Sequence, residues 1–132
     1  MSAHKLGYLV LCDAHAKVAG KDCIYGVFNR IFVGRFPATH EMCFLAFELW
    51  TTPGDHKLSV RIRRGDGTDV VPPLGPLDMK VSEVGQASGA IQLRHLPLEK
   101  PGIYTFEVMI DEEPVGGRDL IVDAIPQRPA QA

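Results

Sequence analysis

The sequence predicts an all-β chain, folded as an immunoglobulin-like antiparallel β-sandwich of seven to eight strands. Three observations predict it. After the Pro101-Gly102 turn, Tyr104, Phe106, Val108 and Ile110 fall on one face and Thr105, Glu107 and Asp111 on the other. Side chains alternate across a strand with a period of two, so this run has a dry and a wetter face. Similar runs recur along the chain, separated by turn residues at roughly 8–12-residue intervals and without helical periodicity. Tyr104 stands near the start of a late strand, two residues before Phe106. That spacing resembles the tyrosine corner of immunoglobulin-like domains, with Phe106 where a cysteine usually stands. Its hydroxyl is expected to bond backbone within residues 98–101.

The elements follow in order. Residues 6–14 read as a first strand, and Ala19 to Asp22 as a turn. Residues 23–33 read as a second strand bent at Gly26, since glycine inside a strand often marks a bulge or close backbone approach. Gly34 to His40 is a crossing loop, in which Phe36 precedes Pro37 and is held extended. Residues 42–51 are the most apolar strand. With Cys43, Leu45, Phe47 and Leu49 facing the core, Met42, Phe44, Ala46 and Trp50 need a second cover. Pro53 to Asp55 turn the chain into 57–64, where Leu58, Val60 and Ile62 alternate with Ser59, Arg61 and Arg63. Gly65-Asp66-Gly67 is a hairpin signal. Residues 68–81 are broken by Pro72, Pro73 and Pro76, which confines them to an edge or a crossover. Gly85 to Gly89 reads as a loop, 90–96 as a strand, Glu112 to Pro114 as a turn, and 117–124 as the last strand. One domain over 1–124 and a disordered tail over 125–132 are expected.

Composition bounds the function. The chain has 132 residues, enough for one domain with its own core, and 45% of them are hydrophobic. A net charge of -2 argues against a nucleic-acid binder, which would carry a basic surplus. Three cysteines (Cys12, Cys23 and Cys43) make an odd, sparse set, expected as reduced thiols rather than a disulfide framework. The Leu9-Val10-Leu11-Cys12 run superficially resembles the end of a lipoprotein signal, but its apolar stretch is short and Leu11 stands where a small residue belongs. No stretch approaches the roughly 18 apolar residues of a membrane span. A cytoplasmic protein without membrane partners is expected.

Candidate chemistry is sparse. Asp13, His15 and His40 could form an acid–base or metal site if the fold gathers them. Zinc sites usually show tight ligand pairs such as H-x-x-x-H or C-x-x-C, and this chain has neither. No nucleophile motif appears, and the glycine-rich turns precede no helix. Arg64-Gly65-Asp66 is read as a turn. Arg61 and Arg63 share a face that Arg30, Arg35 and Arg94 could extend, without the aromatics of a single-strand binder. No catalytic residue, metal or cofactor is assigned.

Two stretches carry a resemblance. One holds Tyr8 to Ala14, Ile24 to Phe32 and Phe36 to His40. The other runs from Leu96 through Pro101 to Val108 and on to Val115-Gly116-Gly117. Together, over about residues 8–124, they resemble a family of small uncharacterised bacterial domains of unknown function. The resemblance implies a single β domain and no particular chemistry.

The expected function is a non-catalytic interaction domain, self-associating or binding another protein through Met42, Phe44 and Trp50. Residues 68–88 are the alternative cover for that face. One rival function is small-ligand or glycan binding by the loops at one end, with a pocket lined by Trp50 or Tyr25. The other is an enzyme using Asp13, His15 and His40.

Overall fold

The computed structural model describes residues 3–126. Among them are nine strands: β1 (Lys5–Val18), β2 (Lys21–Phe28), β3 (Arg30–Val33), β4 (Ala38–Trp50), β5 (Gly54–Arg64), β6 (Leu74–Val81), β7 (Gln86–Leu98), β8 (Gly102–Ile110) and β9 (Glu113–Ala124). They form a four-stranded sheet, β2-β1-β4-β7, and a five-stranded sheet, β3-β9-β8-β5-β6. Pairing is antiparallel except between β3 and β9, which run parallel. No helix of the described residues is long and apolar enough to cross a membrane.

The alternation read from the sequence sets the inner faces. Cys43, Leu45, Phe47 and Leu49 of β4 pack against Leu58, Val60 and Ile62 of β5 and against Tyr104, Phe106, Val108 and Ile110 of β8 in one core. Each large apolar side chain so buried contributes roughly 1.5–3 kcal/mol relative to exposure. Tyr104 is buried, and its hydroxyl donates to the Lys100 carbonyl at 2.7 Å, inside the expected window. Tyr104→Phe should keep the fold and lose about 0.5–1.5 kcal/mol, the usual net worth of such a bond. An unchanged denaturation midpoint and slope would refute that role.

Several boundaries differ from expectation. The strand expected over 23–33 is two strands in different sheets. Gly26 has the expected unusual backbone (φ 66°), but the chain leaves the first sheet at Asn29, whose carbonyl accepts the Ile121 amide at 2.8 Å. One continuous apolar run holds both because alternation does not reveal which sheet a residue joins. The expected loops at 34–40 and 85–89 give up residues to β4 and β7, which pair from Ala38↔Leu98 to Trp50↔Gln86. Small side chains such as Ser88 and Gly89 read as loop but are held extended by that partner. The last turn falls at Asp111 and Glu112 (φ 50° and 68°), earlier than read, so β9 begins at Glu113. Residues 74–81 form the edge strand β6, as the prolines required. Of the tail expected over 125–132, residues from 127 onward lie outside the described residues.

Candidate functional site

The β1–β2 hairpin carries the least expected arrangement. Its turn at Ala19-Gly20 fixes a register that sets Asp13 opposite Gly26. A Cβ on Gly26 would lie 2.5 Å from Asp13 Oδ2, the end of an exposed side chain, and the φ of 66° is what favours glycine there. Beyond this point the alternation slips. Cys12 turns its side chain to the outer side of the first sheet, and so does His15, three residues on.

The slip folds the hairpin over the sheet. β2 and β7 are opposite edges, three strand spacings apart, or about 14 Å if the sheet were flat. Yet Ser88 Oγ of β7 donates to Asp22 Oδ2 of β2 at 2.6 Å. His15 Nε2 donates to Asp22 Oδ1 at 2.9 Å, and Lys17 Nζ donates to the Ser88 carbonyl at 3.0 Å. The Ser88 hydrogen bond, with the His15 bond and the Lys17 charge behind it, holds the Asp22 carboxyl below its ordinary range against the cost of burial. Tyr8 lies beside this group, its hydroxyl pushed up by burial and by the charges of Asp22 and Glu48. Under the curl, Cys12 and Ala46 are fully buried and Phe44 is half-buried. The chain's own hairpin therefore covers the middle of the outer face of β4, and residues 68–88 are not the main cover. Met42 (42% exposed) and Trp50 (43%) stay in water at its two ends.

The hairpin is patterned inside out. His15, Lys17 and Asp22 point toward the protein. Ala14, Ala16 and Val18 of β1 alternate with them and face away, and β2 sets Tyr25 beside Ala14 and Cys23 beside Ala16. Tyr25 and Val27 are each 57% exposed and Val18 55%.

The residues read as a possible reactive set do not share one centre. His15 is bound to Asp22, Asp13 lies over Gly26, and His40 packs against Phe28 with ring centroids 5.9 Å apart. Among the described residues no group of three or more His, Cys, Asp or Glu side chains is arranged to hold a metal ion. Cys12, Cys23 and Cys43 are free thiols, and burial pushes Cys43 up to about 11. Arg61 and Arg63 both approach Asp69, at 3.3 and 3.8 Å, and Arg30 pairs with Asp123 at 3.2 Å. In the Arg64-Gly65-Asp66 turn, Arg64 pairs with Glu99 at 3.1 Å and Asp66 accepts the Thr68 amide at 2.9 Å.

A second polar group, unread from the sequence, closes one end of the sandwich. His56 is buried, with Nδ1 2.6 Å from Asp111 Oδ2 and Nε2 2.7 Å from the Thr52 carbonyl. The Asp111 carboxylate and the Thr52 carbonyl only accept, which favours the protonated ring, and the Thr52 hydroxyl lies 3.2 Å from Nε2. The Asp111 bond raises the His56 pKa, against desolvation and with help from the Thr52 carbonyl. The Lys57 amide, then His56, lower that of Asp111. Two clefts of about 440 and 510 Å3 flank this pair and share Lys57 and Asp111. Neither is lined by Trp50 or Tyr25. The pair joins residues far apart in the chain, so no local spacing announces it.

Its pH signature has a definite sign. A histidine raised on folding contributes fully below its unfolded value near 6.5, and the contribution fades as pH rises through the folded value. A lowered aspartate contributes above its unfolded value and loses that contribution as pH falls through the folded one. The pair is therefore strongest in mildly acidic solution. Thermal unfolding from pH 6 upward should show stability falling as His56 deprotonates, and His56→Gln should remove that slope. An equal slope in both proteins would refute the assignment.

A family model described as "Family of unknown function (DUF6941)" matches residues 7–123. No curated protein matches the chain in sequence. Among solved structures, the chain is similar to Pseudomonas fluorescens alkylpurine DNA glycosylase AlkC bound to DNA containing an abasic site analog. The identity is 14% and the TM-score 0.61, over 94% of this chain and 31% of that one. This likeness concerns the fold alone. The sensor domain of the anti-sigma factor RsgI4 in Pseudobacteroides cellulosolvens is 11% identical, with a TM-score of 0.42 over 74% of this chain and 88% of that one.

Proposed function

The chain belongs to DUF6941, a family of unknown function, and from its own geometry we propose that it is a non-catalytic interaction domain that self-associates through the β1–β2 hairpin. The observation that carries this is the hairpin's inverted pattern, with His15 and Asp22 turned inward and Ala14, Ala16, Val18 and Tyr25 turned to water, Lys21 standing beside Val18 at the turn. Apolar patches left exposed beside polar surroundings mark contact sites.

The edges of the two sheets support the same strand. Three are blunted in the usual ways. β3 has four residues, β6 contains Pro76, and β7 carries Arg94, the positive-φ His95 and Pro97. β2 has neither charge nor proline from Cys23 to Phe28, and its one irregularity there is Gly26. A second copy is the occupant because antiparallel pairing of β2 with itself is self-complementary about a two-fold axis. Such a pair extends the four-stranded sheet and sequesters the exposed Tyr25 and Val27 of both copies.

Sedimentation velocity across the micromolar range tests this, with circular dichroism as a folding control. Wild type should form a dimer, Tyr25→Glu should be a folded monomer, and Trp50→Glu should remain dimeric. A monomeric wild type overturns the proposal. Dissociation by Trp50→Glu alone moves the contact to the Met42–Trp50 face and overturns the hairpin assignment.

We read the fold more finely as an immunoglobulin-like sandwich with a leading hairpin. The β3-β9-β8-β5-β6 order and the Tyr104–Lys100 bond support that reading. Three free thiols favour a reducing, cytoplasmic setting. The DNA bound by the similar glycosylase is not proposed as a ligand of this chain, because the net charge of -2 lacks the basic surplus of a nucleic-acid binder.

A further inference from the structure

We propose that the β1–β2 hairpin beyond Cys12 is a hinged flap that opens off the outer face of the first sheet, pivoting at Asp13 and Gly26 and latched by the Asp22–Ser88 bond.

The strand pairing allows this motion without loss of a ladder to the rest of the sheet. β1 pairs with β4 only as far as Cys12↔Phe44. From Ala14↔Tyr25 to Val18↔Lys21, the ladder belongs to the hairpin alone. The flap can therefore swing as a unit without breaking a sheet hydrogen bond to the rest of the molecule. At the pivot, the Asp13–Gly26 pair is missing from an otherwise continuous register, and Gly26 has a φ of 66°. At the far end the flap is held by polar side chains: Ser88 Oγ to Asp22 Oδ2 at 2.6 Å, and Lys17 Nζ to the Ser88 carbonyl at 3.0 Å. Polar contacts near water exchange for water bonds at a modest net cost. Opening would expose the apolar strip beneath, which includes Cys12 and Ala46.

The cysteines supply the readout. Cys12 is buried on the outer side of the sheet, its thiol 3.7 Å from the Phe44 carbonyl. Cys43 is buried in the sandwich core. Cys23 is half-buried on the flap itself. Native protein is treated with iodoacetamide, and initial rates are read at each cysteine by peptide mass spectrometry. Cys12 should react faster than Cys43, which waits for global unfolding. Ser88→Ala should speed Cys12 by about three- to tenfold, and Cys43 by no more than that factor, through the lower stability of the closed form. Asp22→Asn, which leaves Ser88 in place, should act in the same direction. Equal rates at Cys12 and Cys43 in wild type and both variants overturn the flap. A faster Cys12 that neither variant alters overturns the latch. The readout follows a single chain, so a failure of self-association leaves it intact.

Discussion

Phe106→Ala should lower the free energy of unfolding by about 3–5 kcal/mol, the cost of emptying a large aromatic site in a packed core. Phe106 is fully buried in the middle of β8, a strand paired on both sides, by Ile62 of β5 and Arg118 of β9. Its ring faces the four-stranded sheet and belongs to the cluster that holds Leu45, Leu49 and Leu98. Strands paired on both sides are poorly placed to close around a void, so much of the cavity cost should remain. Domains have about 5–15 kcal/mol of stability in total, so this loss is a large share. Denaturant titration should show a much lower midpoint with an unchanged slope. A loss below about 1 kcal/mol would mean that the two sheets do not meet at Phe106.

Gly85→Ala should cost about 2–3 kcal/mol, although it adds only a methyl group. Gly85 has a φ of 79°, and a Cβ there would stand 2.6 Å from the Thr51 carbonyl oxygen. Left-handed backbone costs an L-residue roughly 1–2 kcal/mol. The backbone cannot relax freely, because the Thr51 amide donates to the Gly85 carbonyl at 2.9 Å and the Gly85 amide to the Ser82 carbonyl at 2.8 Å. Widening that contact also strains the first of these bonds. The damage should be local to the β4–β5 and β6–β7 turns, where hydrogen exchange should quicken at Thr51 before the core amides. A variant as stable as wild type would refute the close approach.

The inner faces of β4, β5 and β8 were legible because alternation reports burial directly. Tyr104 was legible because its bond closes within four residues. The curl of the first sheet was not, although one clue lay in the chain. A two-residue turn at Ala19-Gly20 sets Asp13 against Gly26, and that pairing is where the alternation slips. Without the slip, alternation from Leu9 and Leu11 puts His15 on the core side and Ala14 and Ala16 on the side of Cys12, whereas the fold turns His15 to the side of Cys12. Phe44 was legible as needing cover, by another chain or by residues 68–88, but not as covered by the leading hairpin, since alternation carries no information about a strand crossing above it. The His56–Asp111 pair depends on the meeting of two distant turns, which no local pattern encodes.

The parallel pairing of β3 with β9 bears on the order in which the molecule can be built. Residues 30–33 find their partners at 121–124. On a ribosome adding about 5–20 residues per second, the β1–β2 hairpin is complete seconds before β9 exists. Until then β3 stands without the strand it pairs with. Premature termination just short of residue 121 would leave β3 permanently without its partner strand, and would also take the buried Val122 out of the core. Fusions placed at the carboxyl end should therefore follow residue 124, because the last strand completes an edge begun in the first quarter of the chain.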